Sequence, residues 1–118
     1  MTMAEFKASH RFAPISARKA RLLADQIRGR GVEDALTVLQ LSSKRFSGPL
    51  EKLVRSAVAN AEVKNSRDKA GIDVDNLVIS KITVDEGSSM WRIRPRAQGR
   101  ANWIQKRTSH VQLELEER

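Results

Sequence analysis

Apolar residues recur at helical spacing in three stretches of the chain. The first stretch follows Ser16, a suitable N-cap, and ends near Arg28. Its apolar face consists of Ala20, Leu23, Ala24 and Ile27. The second stretch runs from Val32 to about Leu41, and the third, the most regular, begins between residues 43 and 47 and ends near Val63. The spacing predicts three amphipathic helices, each with one face toward a core.

Strand patterns flank these helices. Residues 5–12 alternate between apolar and polar positions, and residues 77–84 are rich in Val, Ile and Thr. Near the end of the sequence, Val111, Leu113 and Leu115 alternate with polar residues, which predicts a strand with one buried face. The polar segment 65–75 between the third helix and the second strand predicts a loop.

The segment between the last two strands has no apolar period and is polar and basic, so it cannot contribute to a core. One interpretation is a structureless loop of roughly 20 residues, which is uncommon inside a compact domain. The other is a β-hairpin whose strands continue beyond the sheet, by about 30 Å at roughly 3.3 Å per residue. We favour the hairpin and predict an extended arm at about residues 85–104 of a single domain covering residues 1–118.

The composition suits a globular protein that binds a polyanion. The chain has 118 residues, a hydrophobic fraction of 40% and a formal net charge of +8. Residues 1–31 and 88–118 carry the excess of cations, whereas residues 32–87 hold eight Lys or Arg against nine acids. Nucleic acid is the expected partner. No apolar run exceeds three residues, and the sequence has no Cys and no signal-peptide pattern, so we expect no membrane span and no thiolate site.

Two groups of cations are candidate contacts to phosphate. No Asp or Glu occurs between Glu86 and Glu114, and this window is rich in Arg, whose planar fork matches phosphate oxygens. Its candidate residues are Arg92, Arg94, Arg96, Arg100, Lys106, Arg107 and the neighbouring Thr108. The second group lies on and after the first helix and comprises Arg18, Lys19, Arg21, Arg28 and Arg30.

No residue pattern indicates catalysis or a bound metal. The carboxylate pairs Asp73 with Asp75 and Asp85 with Glu86 have no nucleophile or Gly-rich phosphate loop beside them. His10 and His110 are the only two histidines, and without Cys they make a weak ligand set. We therefore expect a protein that is not an enzyme and that has no metal and no cofactor.

Three segments resemble the family of bacterial ribosomal large-subunit protein twenty-two. They are residues 15–22 (ISARKARL) continuing to 27–29 (IRG), residues 56–62 (SAVANAE), and residues 94–101 (RPRAQGRA) followed by 106–110 (KRTSH). The resemblance implies an α+β fold with three helices packed on a small three-stranded antiparallel sheet and a long protruding β-hairpin. It also implies a structural, rRNA-binding constituent of the large ribosomal subunit in the cytoplasm, with a role in early subunit assembly.

The resemblance further implies a place beside the polypeptide exit tunnel. The body of such proteins sits near the outer opening, and the hairpin lines the tunnel wall and contacts several domains of large-subunit rRNA. Expected partners are neighbouring ribosomal proteins, including large-subunit protein four at the constriction, and the nascent polypeptide. By position, Met90, Trp91 and Arg92 are expected at the tunnel-lining tip.

Two questions stay open at the level of sequence. From the residues alone, an architectural DNA-binding protein with a basic β-arm is the main alternative, and a membrane-surface protein is a weaker one. Trp91 and Trp103 occupy positions where similar proteins more often carry basic or smaller residues. Trp91 either stacks on a base, narrows the tunnel, or packs with Trp103 across the hairpin. The chain has only five aromatic residues and no Tyr, fewer than a protein that reads single strands by stacking would need. We therefore expect it to recognise mainly phosphates and RNA shape, with an affinity that falls steeply as the salt concentration rises.

Overall fold

The protein consists of three helices on a small sheet, with a second sheet beyond it. The structure, a computed structural model, describes residues 5–68 and 76–117. The elements are β1 (Glu5–Ala13), α1 (Ala17–Ile27), α2 (Val32–Leu41), α3 (Ser47–Asp68), β2 (Leu77–Glu86), β3 (Met90–Pro95), β4 (Ala101–Lys106) and β5 (Ser109–Glu117). Within the described ranges, no helix is long and apolar enough to cross a membrane.

The helices form where the apolar spacing predicts them. Ser16 caps α1 by accepting a hydrogen bond from the Lys19 N–H at 3.4 Å. Pro49 lies in the first turn of α3, where its missing N–H costs nothing. The α3 helix continues through Asp68, so the loop predicted from residue 65 begins later than expected, and residues 69–75 lie outside the described part of the chain.

The main sheet is antiparallel, with strand order β1–β5–β2 and therefore with β5 at its centre. Buried side chains alternate along β2 and β5 and pack against the apolar faces of the three helices. The largest buried strand residues are Leu77, Ile79, Ile82, Val111, Leu113 and Leu115. The α+β fold with three helices on a three-stranded antiparallel sheet is thus confirmed.

The edge of β2 opposite β5 is covered by the connection between α1 and α2. The Gly29 N–H donates to the Ile79 carbonyl at 3.0 Å, and the Ile79 N–H donates to the Arg30 carbonyl at 2.9 Å. Gly29 adopts a φ of 80°, a left-handed conformation that glycine reaches without steric cost. These bonds fix the basic end of α1 against the sheet and protect an edge that would otherwise be open to pairing.

The arm is a separate two-stranded sheet made of β3 and β4. The described chain measures 65 × 26 × 20 Å, with a radius of gyration of 17.6 Å. A compact domain of this length would have a radius of gyration of about 13.5 Å. In the arm no residue is buried, and only Ile104 and Gln105, near the body, are partly covered. The predicted protruding hairpin is therefore present, and it does not fold back onto the helices.

Candidate nucleic-acid interface

The turn of the arm lies at Ala97–Gly99, between β3 and β4. Gln98 and Gly99 adopt left-handed φ values of 62° and 71°, and the Arg96 N–H donates to the Arg100 carbonyl at 2.6 Å. The turn therefore places two guanidinium groups, those of Arg96 and Arg100, at the far end of the arm.

The prediction that Met90, Trp91 and Arg92 form the tip is wrong. Met90 pairs with Lys106 at the end of the hairpin nearest the body, and the register continues outward to Pro95 opposite Ala101. The reason is the turn chemistry, because a tight reversal needs residues that tolerate positive φ, and Gly99 meets that need.

The arm has two chemically different faces. Residues directly opposite in an antiparallel pair share a face, and neighbours along a strand alternate. One face carries Met90, Arg92 and Arg94 opposite Lys106, Ile104 and Asn102. The other carries Trp91, Ile93 and Pro95 opposite Gln105, Trp103 and Ala101. A basic face thus lies back to back with an apolar one, a division that the sequence analysis missed although the alternation of Arg with apolar residues in β3 encodes it.

The cations of the arm have no acidic partner within the described residues. The ion pairs of the described chain join Lys7 to Glu114, Arg28 to Asp25, and Arg55 to Glu51, all in the body. At the junction with the body, the Arg107 guanidinium donates to Gln105 Oε1 at 3.3 Å, a neutral acceptor. The positive charge of the arm is therefore available to an external anion.

The junction between arm and body is held by short hydrogen bonds. The Gly87 N–H donates to the Thr108 carbonyl at 2.9 Å, and the Thr108 hydroxyl donates to the Ser88 carbonyl at 2.5 Å. Thr108, predicted as a phosphate contact, therefore holds the two strands together where they leave the main sheet. A Cβ placed on Gly87 would lie 2.6 Å from Thr108 Oγ1 and 3.1 Å from His110 Nε2.

Replacing Gly87 with alanine should therefore destabilise the protein. The new methyl group overlaps the short Thr108 side chain and should lower the free energy of unfolding by about 1–3 kcal/mol. The measurement is urea denaturation followed by circular dichroism. Gly48→Ala serves as the matched control, because a Cβ placed on Gly48 would have no neighbouring atom within 4 Å and its helical site favours alanine. Equal stability of the two variants would contradict the crowding at the junction.

The two basic groups meet at the junction. A cleft of about 470 Å³ is lined by three arginines, Arg18 and Arg21 of α1 and Arg107, and by one acid, Glu86. An adjoining cleft of about 790 Å³ is lined by Lys19, Lys106 and Arg107, and also by Arg45. Cations far apart in the sequence thus converge around the base of the arm. Arg45 was not among the predicted contacts, because it lies between α2 and α3 and no motif or local charge run marks it.

The cations of α1 divide into two kinds. The Arg21 guanidinium donates to the Val84 carbonyl through Nε at 3.2 Å and Nη2 at 2.9 Å, and Arg28 donates to the Ile82 carbonyl at 3.0 Å. Arg30 donates to the Gln26 carbonyl at 2.7 Å. Arg18 and Lys19, by contrast, make no side-chain hydrogen bond or ion pair with any described residue. Arg21 and Arg28 therefore bind the edge of β2, and Arg30 binds a carbonyl of α1. The Arg18 and Lys19 side chains remain available to an external partner.

A pair of substitutions separates these two kinds. Arg21→Met keeps much of the side-chain volume but removes both hydrogen bonds to the partly buried Val84 carbonyl, so we expect a loss of about 1–2 kcal/mol in the free energy of unfolding. Arg18→Met, on the same helix, should change stability by less than about 0.5 kcal/mol. Urea denaturation measures both. A stability loss as large for Arg18→Met would show that charge on α1, rather than the clamp on β2, is responsible.

Both histidines have structural contacts. His110 Nδ1 accepts a hydrogen bond from the Phe12 N–H at 3.0 Å, and its ring meets the Phe12 ring edge-on with centroids 4.7 Å apart. Phe12 has a φ of 55° at the irregularity in the β1–β5 register, which presents its N–H to the imidazole. His10 stacks on Phe46 at 6.2 Å. Among the described residues, no group of three or more His, Cys, Asp or Glu could hold a metal ion.

The Arg-rich arm, whose cations pair with no described acid, and the cations that converge at its base suit a protein that binds a polyanion. A protein-family model described as Ribosomal protein L22p/L17e matches residues 8–116 of the 118 residues. This match includes all three helices and the whole arm. The chain therefore belongs to the Ribosomal protein L22p/L17e family and is a structural, rRNA-binding constituent of the large ribosomal subunit.

Proposed function

We propose that the arm inserts between segments of large-subunit rRNA and lines the polypeptide exit tunnel with its turn. The observation that carries this proposal is an arm of two strands whose cations form no ion pair with a described acid and whose side chains are all outside the core. A two-stranded ribbon is marginally stable alone in water. Surrounding phosphates would both neutralise its charge and support its length.

The body binds rRNA through the clefts at the base of the arm. Arg18, Lys19 and Arg45 reach these clefts from the helical side, and Lys106 and Arg107 reach them from the arm. Arg21 lines one cleft as well and keeps further N–H donors beyond those bonded to Val84. A phosphate at this point would contact both parts of the protein, so binding would fix the direction of the arm and support early subunit assembly.

The turn, rather than Met90 to Arg92, is the segment that we assign to the tunnel. Arg96, Gln98 and Arg100 lie farthest from the body along the arm. The turn would border the nascent polypeptide and large-subunit protein four at the constriction, with both guanidinium groups on phosphates of the tunnel wall. Met90, Trp91 and Arg92 would lie closer to the body, between RNA segments.

The proposed role involves no catalysis. Asp85 and Glu86 follow each other on β2, so their carboxylates point to opposite faces of the sheet. Asp73 and Asp75 lie outside the described residues. The clefts at the base of the arm combine six cations with the hydroxyl groups of Ser16, Ser89 and Thr108, a chemistry that suits holding phosphate.

Site-specific crosslinking tests the position of the turn. A photoreactive residue at Gln98 should crosslink to nascent chains and to protein four in stalled ribosomes, whereas the same residue at Lys52, on the outer face of α3, should give neither product. The variants are first shown by sucrose-gradient sedimentation to enter large subunits. Crosslinks from position 52 but not from position 98 would overturn the proposed orientation, and co-migration of the chain with nucleoid DNA would overturn the ribosomal role.

A further inference from the structure

The apolar face of the arm exposes two indole rings. Trp91 is 61% exposed and Trp103 is 66% exposed, and Ile93 between them is 57% exposed. Ile93 lies directly opposite Trp103, and Trp91 is the diagonal neighbour of Trp103 across the hairpin. Diagonal positions of this kind are roughly 7–8 Å apart, so the two indoles flank one continuous apolar surface.

Nothing in the described chain covers this surface. The aromatic pairs within the described residues join His10 to Phe46 and Phe12 to His110, and neither Trp takes part. The arm also stands clear of the helices, so the exposure is a property of the folded protein. Large exposed apolar surfaces usually mark a contact with another molecule.

The surroundings of the indoles favour RNA bases over polypeptide as the occupant. The same ribbon carries Arg92 and Arg94 on its other face and Arg96 and Arg100 at its turn, and no Asp or Glu occurs between Glu86 and Glu114. On a ribbon that lies between RNA segments, the cations can attract the phosphates of one segment while the rings on the other face stack on unpaired bases of the next. A second copy of this chain would bring another set of uncompensated cations against the first, which disfavours self-association.

We propose that Trp91 and Trp103 form a stacking platform for unpaired bases of large-subunit rRNA, while Arg92 and Arg94 on the opposite face contact phosphates. This assignment rests on the proposed insertion of the arm into rRNA and adds base contacts to the recognition of phosphate and shape. It gives the two faces of the arm separate roles. Loss of a phosphate contact should change the salt dependence of RNA affinity, whereas loss of a stacking contact should not.

Intrinsic fluorescence reports on the platform directly. The chain has two Trp and no Tyr, and both Trp lie on this face, so the indole emission comes only from the arm. Titration of the full chain with a single-stranded RNA dodecamer of mixed sequence should quench the emission. A fully paired duplex with the same number of phosphates should quench it much less, because its bases are not available for stacking. Equal quenching by the two RNAs would overturn the platform.

Substitutions on the two faces provide the second test. Trp91→Leu and Trp103→Leu should each weaken binding to a large-subunit rRNA transcript by about ten-fold, with an unchanged slope of log affinity against log salt. Arg94→Gln, the control on the opposite face, should reduce that slope by about 1. Circular dichroism checks that the exposed substitutions leave the body folded.

The outcomes separate this inference from the proposed function. If the unsubstituted chain binds the rRNA transcript with a steep salt dependence and both Trp→Leu variants bind equally well, the platform is wrong and insertion into rRNA still stands. If the unsubstituted chain shows no salt-dependent affinity for the transcript, insertion itself fails. A photoreactive residue at position 103 that crosslinks to nascent chain in place of rRNA would also overturn the platform.

Discussion

Leu113→Ala is expected to lower the free energy of unfolding by about 2–5 kcal/mol, the range found for truncating a large aliphatic side chain in a tightly packed core. Leu113 is fully buried at the middle of β5, the central strand of the main sheet. It pairs with Ala8 on one side and with Ile82 on the other. Small domains are stable by only about 5–15 kcal/mol in total, so this single change should remove a large part of the margin.

Urea denaturation of the isolated chain measures the effect, and Leu41→Ala is the matched control. Leu41 is 82% exposed at the end of α2, so the same chemical change should cost less than about 1 kcal/mol there. If Leu113→Ala were as stable as Leu41→Ala, the main sheet would not be the centre of the core. The arm should keep its hairpin contacts in both variants, because it does not pack on Leu113.

The fold of the body could be predicted from the sequence because its buried residues are apolar and recur at the period of a helix or a strand. Ala20, Leu23 and Ile27 repeat at helical spacing and are all buried on one face of α1, and Val111, Leu113 and Leu115 alternate and are all buried on β5. Each side chain that enters the core excludes water, so the pattern of apolar positions matches the pattern of contacts. The bounds of α2 agree with the prediction for the same reason.

The arm could be predicted as a hairpin but not in its detail. Its side chains are not buried, so no core enforces a pattern that marks where the strands reverse. The reversal depends instead on positive φ at Gln98 and Gly99, and the sequence signal for it is a single glycine. Placing Met90 at the tip overlooked that glycine. The position of the turn fixes the pairing register of β3 and β4. The register in turn places Trp91 and Arg92 on opposite faces of the arm.

The roles of the α1 cations could not be told apart from the sequence. Arg18, Arg21 and Arg28 are the same residue type on one helix, and each suits phosphate equally well by composition. What distinguishes them is the position of β2, which comes more than fifty residues later in the chain. Because the Val84 and Ile82 carbonyls lie on the edge of β2 away from β5, they accept from Arg21 and Arg28. Arg18 is left for an external partner.

Removing the four arginines of the arm should have the largest effect on RNA binding. Arg92, Arg94, Arg96 and Arg100 are exposed, and no described carboxylate pairs with them, so replacing all four with Gln should leave the fold and its stability unchanged. Each lost phosphate contact should reduce the slope of log affinity against log salt by about 0.7–0.9, giving a total reduction of about 3. At about 0.1 M salt the affinity should fall roughly a thousand-fold.

Filter binding to a large-subunit rRNA transcript over a series of salt concentrations measures both quantities. The control replaces four body cations, Lys52, Arg55, Lys64 and Lys81, with Gln and so removes the same net charge. If placement matters, the control should lose far less affinity. These four cations lie on a part of the chain that carries about as many acids as bases, and none of them lines the two clefts at the base of the arm. Equal losses of affinity in the two variants would mean that the total charge of the protein governs binding. The arm would then not be a preferred RNA-binding surface.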